Sequence, residues 1–143
     1  MPDTLPRWPP GTVTVLATAA GAPHAIPVST AVRAGDHAVL FALAPRRVSL
    51  ARLRTDPRCS LAILAEDVAV TAHGRATVLT ELHGVIALRL DVERIQDHDQ
   101  PTFVMEAGVR WRWVDDDARE RDARIRAWLE ELAGERRPAA PGS

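Results

Sequence analysis

The stretch Pro23–Arg58, which reads PHAIPVSTAVRAGDHAVLFALAPRRVSLARLRTDPR, decides the fold. Residues 25–33 alternate between small or polar side chains and apolar or β-branched ones, with the period of two that a half-buried strand requires. Gly35 and Asp36 supply a tight turn, and apolar residues then alternate again up to Leu43. The stretch therefore predicts an antiparallel hairpin whose first strand covers 25–33 and whose second strand ends at Leu43.

A basic loop and a short helix follow the hairpin. The loop places Arg46 and Arg47 directly before a helix predicted over 48–55, which ends there because the residue before Pro57 disfavours helical backbone. Two guanidinium groups, the Ser49 hydroxyl and the free N–H groups of the first helical turn meet here, a combination that holds an anion and most naturally a phosphate. Two plainer interpretations are that the arginines are solvated surface charge and that Ser49 only caps the helix.

Composition limits the functional classes. The chain has 143 residues, of which 46% are hydrophobic and 26% charged, so we expect one domain with a real core. The net charge of −1 gives no electrostatic argument for a nucleic-acid partner or an anionic membrane. The single Cys59 excludes an internal disulfide and a cysteine-only metal site. No apolar run approaches the ~20 residues of a membrane span, so we expect a cytoplasmic protein. The histidines show no spacing typical of metal ligands, so we expect no metal.

The rest of the chain contains further strand patterns and one long helix pattern. Alternating or β-branched runs predict strands over 12–18, 58–65, 68–79, 84–97 and 109–113. Composition would allow a helix over 84–97, but the strict alternation there favours a strand. Gly74 marks a bulge or a sharp bend, and Pro27 indicates a position at the edge of the sheet or at a bulge. A helix is predicted over 115–133, with Gly134 as its stop.

These elements predict a mainly β fold. About six strands, a short helix after the third and a closing amphipathic helix describe a small antiparallel barrel. We expect a single domain with a Pro-rich arm (1–11), a barrel core (12–97), a final strand and C-terminal helix (109–134) and a flexible tail (135–143). Residues 98–108 receive no assignment. Because so small a barrel fills its own interior with side chains, a large ligand is expected outside it, in a groove at a subunit interface.

Several short motifs in a fixed order carry a resemblance to a known family. They are G-x-P-H-x-x-P-V from Gly21, a strand ending Leu40-Phe41-Ala42, the basic loop, L-R-x-D-P-R-x-S-L from Leu53, and Gly74-Arg75-Ala76. Their order and spacing over 12–79 resemble the FMN-binding split-barrel family named after pyridoxamine 5′-phosphate oxidase. The resemblance implies a six-stranded antiparallel Greek-key split barrel, a homodimer, and FMN bound between the subunits.

The resemblance also implies which residues contact the cofactor. The residues along the isoalloxazine edge would be Ile26, Pro27, Val28, Ser29 and Thr30. The residues that contact the cofactor from the end of the third strand would be Phe41, Ala42 and Leu43. The phosphate would be bound by Arg46, Arg47 and Ser49. The run from Gly108 to Arg112 resembles a W-R motif that some relatives place near the flavin of the neighbouring subunit, which makes Trp111 a further candidate. Trp111 is otherwise interpreted as an anchor in the core or in a dimer interface.

The position of Ser49 departs from the family pattern. Many relatives carry a lysine or an arginine there, which pairs with the phosphate. Ser49 donates a hydrogen bond but brings no charge, so Arg46 or Arg47 would have to supply it. Relatives that use deazaflavin F420 are also usually basic at this position, and F420 stays the alternative cofactor.

Three functions are open at this point. The first is an FMN-dependent oxidoreductase acting on an unknown small molecule. The second is a non-catalytic flavin or small-molecule binding protein on the same barrel. The third is a nucleic-acid module, which the near-neutral charge and the 4% aromatic content disfavour. No catalytic residue is assigned. His24 and His73 are candidates for hydrogen bonds to a flavin or substrate, with a structural role as the alternative.

Overall fold

Seven β-strands form one antiparallel sheet in the computed structural model, which describes residues 3–135. The strands are β1 (Thr14–Thr18), β2 (His24–Val28), β3 (Val32–Arg33), β4 (Ala38–Leu43), β5 (Arg58–Ala65), β6 (Val68–Leu82) and β7 (Val85–Asp97). Helix α1 (Val48–Thr55) connects β4 to β5, and helix α2 (Asp116–Glu135) follows the sheet. Across the sheet the strands lie in the order β2-β1-β5-β6-β7-β4-β3.

The sheet curls into a split barrel because its two edge strands are consecutive in the chain. β2 and β3 lie at opposite ends of the strand order, yet only residues 29–31 separate them. Thr30 helps to close the gap, since its Oγ1 accepts the N–H of Ala42 (3.1 Å) in β4. The predicted mainly β split barrel is therefore confirmed. The single strand predicted over 25–33 is wrong, because the chain must leave one edge of the sheet and join the other, which gives seven strands instead of six.

Local sequence signals position the irregularities of the sheet. β6 and β7 are the longest strands, and their pairing shifts register between His73 and Gly74. A Cβ atom on Gly74 would lie 1.9 Å from the carbonyl oxygen of Asp91, so only glycine lets the two backbones approach this closely. The predicted bulge at Gly74 is confirmed. Pro27 lies in the edge strand β2, as predicted, where its missing N–H need not break the sheet ladder.

Two apolar clusters stabilise the fold. The barrel interior is filled by large, fully buried side chains that include Leu16, Phe41, Leu61, Ile63 and Leu88. On the outside, α2 packs Ile125, Trp128 and Leu129 against Val32, Leu40 and Ala87. Each such side chain contributes about 1.5–3 kcal/mol when it leaves water. α2 covers β3, β4 and the start of β7, whereas α1 contacts β1, β2 and β6.

Capping and proline explain the helix boundaries. α1 has the predicted bounds, and Leu50 and Leu53 are buried as expected. α2 begins after Asp115, whose Oδ1 accepts the N–H of Ala118 (3.1 Å) in the manner of an N-cap. The stop predicted at Gly134 is wrong, because α2 continues to Glu135. A glycine in a helix costs only about 1 kcal/mol relative to alanine, which the packing of α2 outweighs.

The strand predicted over 109–113 is also wrong. These residues pair with no strand in the described part of the chain. Their segment instead runs along the sheet, where the Met105 carbonyl accepts the N–H of Asp67 (2.9 Å) and Gly108 passes close to the carbonyl of Leu64. Alternating side chains do not make a strand where no ladder partner is available.

The N-terminal arm is attached to the barrel by two apolar residues. Leu5 is buried and its N–H donates to the Asp36 carbonyl (2.9 Å), while the indole N–H of Trp8 donates to the Ala31 carbonyl (3.0 Å). Residues 136–143 of the expected flexible tail lie outside the described residues. None of the helices between residues 3 and 135 has the length and apolar character needed to cross a membrane.

Candidate functional site

The break between β2 and β3 meets the end of β4. Thr30 Oγ1 accepts the Ala42 N–H (3.1 Å) and lies 3.5 Å from the Ala42 carbonyl oxygen, to which it donates. The threonine side chain therefore provides hydrogen bonds that a continuous strand would provide through its backbone. Ser29 and Ala42 are half-buried on either side of this contact. Three residues that the sequence predicted for one site are thus brought together.

The arginine loop, residues 44–47, continues from this junction into α1. All four residues are exposed, and the Arg47 N–H donates to the Ala44 carbonyl (3.0 Å) to close a turn. Arg47 is the N-cap residue of α1 and its side chain makes no capping bond. Neither Arg46 nor Arg47 forms an ion pair with another residue of the described chain. Two solvent-facing guanidinium groups therefore lie at the start of a helix, a suitable arrangement for an anion.

Ser49 differs from the two arginines because it is buried. Its side chain is 1% exposed, and its Oγ is hydrogen-bonded to Nε2 of His24 (3.1 Å). The contact joins the first turn of α1 to β2. The alternative that Ser49 caps the helix is wrong, because Arg47 occupies the N-cap position. In this structure the hydroxyl of Ser49 and the ring of His24 hold the helix against the sheet.

The other hairpin candidates differ in which atoms they expose. Val28, Phe41 and Leu43 are buried in the barrel core, so their side chains are not available to a ligand. Ile26 is half-buried and packs against the same core. Pro27 is exposed on the outside of the edge strand. The junction can therefore present the small side chains of Ser29 and Ala42 to a ligand, with charge supplied by the arginine loop.

The outer sides of β2, β1 and β5 form a small apolar surface, which we call the outer face. Pro27, Val15 and Ala62 lie opposite one another across these strands, and Leu64 follows along β5. Val15 and Leu64 are each 40% exposed. These residues place apolar side chains next to one another on the solvent-facing side of the sheet.

Trp111 lies beside the N-terminal arm. Its indole N–H donates to the Gly11 carbonyl (3.0 Å), and its ring meets that of Trp113 edge to face, with 5.2 Å between ring centroids. Both tryptophans are about 40% exposed. The indole hydrogen bond and the ring contact of Trp111 are therefore with the arm and with Trp113.

One polar cluster was not predicted as a unit from the sequence. Ser60, His73 and Gln96 lie on neighbouring strands and are linked by hydrogen bonds. They are 13 and 23 residues apart in sequence, so only the strand register brings them together. The sequence singled out His73 alone. Within residues 3–135, His, Cys, Asp and Glu side chains form no group of three or more that could hold a metal ion.

Comparison with known proteins identifies the family. A sequence profile of the pyridoxamine 5′-phosphate oxidase family matches residues 8–107, which is more than two thirds of the chain. The chain belongs to this family. The resemblance carried by the short motifs is thereby confirmed, while no curated protein shows significant sequence similarity to the chain.

Several solved structures are similar to this chain at low sequence identity. A provisionally named pyridoxamine 5′-phosphate oxidase from Listeria innocua has a TM-score of 0.53 and 12% identity, covering 62% of this chain and 90% of its own. An FAD-binding protein from Mesorhizobium loti has a TM-score of 0.50 and 18% identity, with coverage of 59% and 83%. A heme binding protein from Mycobacterium smegmatis has a TM-score of 0.51 and 21% identity, with coverage of 60% and 48%.

The match to the pyridoxamine 5′-phosphate oxidase family covers most of the candidate site. Residues 8–107 include the junction at Thr30, the arginine loop, Ser49 and the outer face. Trp111 and α2 lie beyond the matched range. The family assignment therefore concerns the barrel, and the C-terminal candidates have to be tested separately.

Proposed function

We propose that this member of the family binds FMN at the interface of a homodimer and uses it as an oxidoreductase on a small molecule. The observation that carries the proposal is the arginine loop, where two guanidinium groups without an acidic partner in the described chain lie at the start of α1. A phosphate monoester carries roughly −1.5 to −2 charges at neutral pH, and arginine binds such groups with charge-assisted hydrogen bonds. The FAD-binding relative supports a flavin as the group bound.

The donor set at the loop fits a phosphate without Ser49. That hydroxyl is buried and already bonded to His24, so the charge and most of the donors would come from Arg46 and Arg47. The amides of the first turn of α1 would add to them, because the first N–H groups of a helix lack partners within the helix. The absence of a basic residue at position 49 is thus compatible with phosphate binding.

The outer face and the segment before α2 support a dimer. Val15 and Leu64 are exposed on the outer face, and the segment exposes the apolar side chains of Phe103, Val104, Val109, Trp113 and Val114. A second copy of the chain would bury part of this surface, and stable homodimer interfaces are more apolar than the rest of a protein surface. In this proposal Trp111 contributes to the site of the neighbouring subunit.

The chain's own residues would bind and orient the cofactor. Bound FMN supplies hydride-transfer chemistry that side chains do not provide. The arginine loop would hold its phosphate, and the half-buried side chains of Ser29 and Ala42 at the junction would line its ring. A small-molecule substrate and a cytoplasmic location belong to the same proposal, and a free, buried Cys59 agrees with a reducing compartment.

A flavin-binding titration tests the proposal. Replacing Arg46 and Arg47 by alanine should weaken FMN binding by at least ~1.5 kcal/mol, about tenfold, while the exposed positions leave the fold intact. The matched control is Arg121→Ala with Arg124→Ala, which removes the same charge from the exposed side of α2. Quenching of flavin fluorescence measures affinity, thermal unfolding checks the fold, and sedimentation velocity measures the oligomeric state.

The competing functions give different outcomes in the same experiment. Unchanged affinity in the double variant would mean that the phosphate is not at the arginine loop. If the purified protein does not bind FMN but binds F420 or heme in parallel titrations, the proposed cofactor is wrong and the group that binds takes its place. FMN binding without turnover by nicotinamide or deazaflavin donors would indicate a binding protein. A monomer at micromolar concentration would contradict the interface.

A further inference from the structure

A cleft of about 500 Å³ lies outside the barrel where β1, β5, β6 and β7 run side by side. Ser60 and His73 form its half-buried base, and the charged side chains of Arg58, Arg75, Glu93 and Arg94 are exposed around it. The cleft contains no residue of the arginine loop or of the junction at Thr30, and His73 is the one sequence candidate among the residues that line it.

The base of the cleft is a chain of hydrogen bonds whose protons can be assigned. Gln96 Oε1 only accepts, so the bond of 3.1 Å to His73 requires that the ring carry its proton on Nε2. Nδ1 of the neutral ring is then an acceptor, and it receives the hydroxyl proton of Ser60 across 2.6 Å. In this state neither the ring nor the hydroxyl has a proton to offer a ligand.

The bulge aims two charged side chains at the same cleft. His73 pairs with Arg94 and Gly74 pairs with Val92, so Glu93 is the extra residue on β7. Glu93 forms an ion pair with Arg75 (3.3 Å), whereas Arg94 forms none within the described chain. Arg58 is held by Asp56, whose carboxylate accepts hydrogen bonds from it at 2.7–3.2 Å. The available positive charge is therefore that of Arg94, directly across the strand pair from His73.

The thiol in the cleft does not provide an alternative chemistry. Cys59 lines the cleft but is buried, and burial raises the pKa of its thiol to about 12. Because the thiolate is the nucleophilic form, Cys59 is unreactive at neutral pH. The polar chemistry of the cleft is thus that of Ser60, His73 and the surrounding charges.

We propose that this cleft binds a small oxyanion, a phosphate or a carboxylate group of a metabolite, and that binding adds a proton from solvent to His73. The protonated ring would donate through Nδ1 to the Ser60 oxygen, and the Ser60 hydrogen would turn to the ligand. A protonated His73 ring would lie directly opposite Arg94 on the neighbouring strand, so an anion between them would be attracted by both positive charges. Anion binding and proton uptake therefore favour each other.

The position of the cleft leaves it separate from the proposed dimer surface. The exposed apolar side chains of the outer face, Val15 and Leu64, lie at the start of β1 and the end of β5. The cleft lies at the opposite ends of the same strands, near Thr18 and Arg58. The inference therefore stands independently of the flavin proposal.

Titration with sulfate, whose charge is constant near neutral pH, tests the inference. The experiment uses the full chain carrying Arg46→Ala and Arg47→Ala, so that the arginine loop does not compete for the anion. Nitrogen-15 spectra of the five histidines, with His73 assigned from a His73→Gln variant, report the state of the ring. Sulfate should convert His73 from the Nε2–H form to the imidazolium, and affinity should rise at least about fivefold from about pH 8 to about pH 6.

Two variants separate the cleft from general charge effects. Arg94→Gln should weaken sulfate binding about tenfold, while Arg124→Gln, an exposed arginine on α2, should leave it unchanged. His73→Gln should bind sulfate with little dependence on pH. Parallel titrations with inorganic phosphate and with malonate compare the two ligand classes. Tighter binding of phosphate indicates a phosphate ligand, and tighter binding of malonate indicates a carboxylate ligand. Unchanged His73 signals, or equal weakening by both arginine variants, would overturn the proposal.

Discussion

Adding one methyl group at Gly74 should destabilise the barrel strongly. A Cβ atom there would lie 1.9 Å from the carbonyl oxygen of Asp91 and 2.9 Å from its carbonyl carbon. Ordinary contact begins near 3.4 Å, so β6 and β7 would have to separate by about 1.5 Å. The obstructing atoms are backbone atoms inside a strand ladder, which cannot rotate away as a side chain would.

The cost follows from two terms. Overpacking a well-packed site typically costs ~1–3 kcal/mol, and the rigid backbone places Gly74→Ala at the upper end of that range. Separation of the strands also weakens neighbouring ladder hydrogen bonds, each worth about 1 kcal/mol. We therefore expect Gly74→Ala to lower the free energy of unfolding by roughly 3–4 kcal/mol, a large share of the ~5–15 kcal/mol that folded proteins have.

Urea unfolding of Gly74→Ala and Gly134→Ala provides a matched comparison. At Gly134 a Cβ atom would meet nothing within 4 Å, and the residue is helical, so alanine there should raise the free energy of unfolding by up to ~0.5–1 kcal/mol. The same chemical change should thus have opposite signs at the two positions. A loss below ~1 kcal/mol for Gly74→Ala would refute the interpretation that this glycine is required by the close approach of β6 and β7.

Three further substitutions test individual contacts. Thr30→Val leaves the Ala42 N–H without its partner and should lower the free energy of unfolding in urea by ~1–3 kcal/mol. Thr80→Val, at an exposed strand position, should change it by no more than ~0.5 kcal/mol. Equal effects of the two substitutions would contradict the role of Thr30. Ser49→Ala removes the hydrogen bond to His24 and should lower the free energy of unfolding by about 1 kcal/mol without changing the affinity for FMN. A tenfold loss of affinity would indicate instead that Ser49 binds the phosphate. The hydrogen bonds from Arg58 lower the pKa of Asp56 from 3.8 to about 2, so its contribution to stability is present above 3.8 and is lost as the pH falls toward 2. In acid unfolding the stability difference between the native protein and Asp56→Asn should therefore shrink over that interval, and a constant difference would argue against the pairing.

The features that could be predicted from the sequence are those that depend on neighbours along the chain. Alternation identified β4 to β7, and it correctly favoured a strand over 85–97 where composition allowed a helix. Pro57 ended α1, Gly74 marked the bulge, and Pro27 indicated the edge strand. Each of these signals acts through backbone geometry within a few residues. The features they predict are therefore present in the folded protein.

The features that were missed depend on distant parts of the chain. The break at Thr30 exists because the chain must connect the two edges of a curled sheet. The residues between 25 and 33 do not determine the position of β4, so the break could not be predicted from them. The run 109–113 has the alternation of a strand but no strand beside it to pair with. The link from Ser60 through His73 to Gln96 depends on the register of three strands, which sequence spacing does not specify.

The arginine loop owes its position to contacts of α1 with the sheet. α1 has eight residues and is about 12 Å long, too short to be stable alone, since isolated helices below ~12–15 residues are marginal in water. His24 holds its first turn through Ser49, and Thr18 accepts a hydrogen bond from Arg52 (2.8 Å) near its middle. The chain after it is fixed where Asp56 accepts hydrogen bonds from Arg58. Because these anchors lie on β1, β2 and β5, the place offered to an anion is a property of the whole barrel, and it should be lost whenever α1 detaches from the sheet.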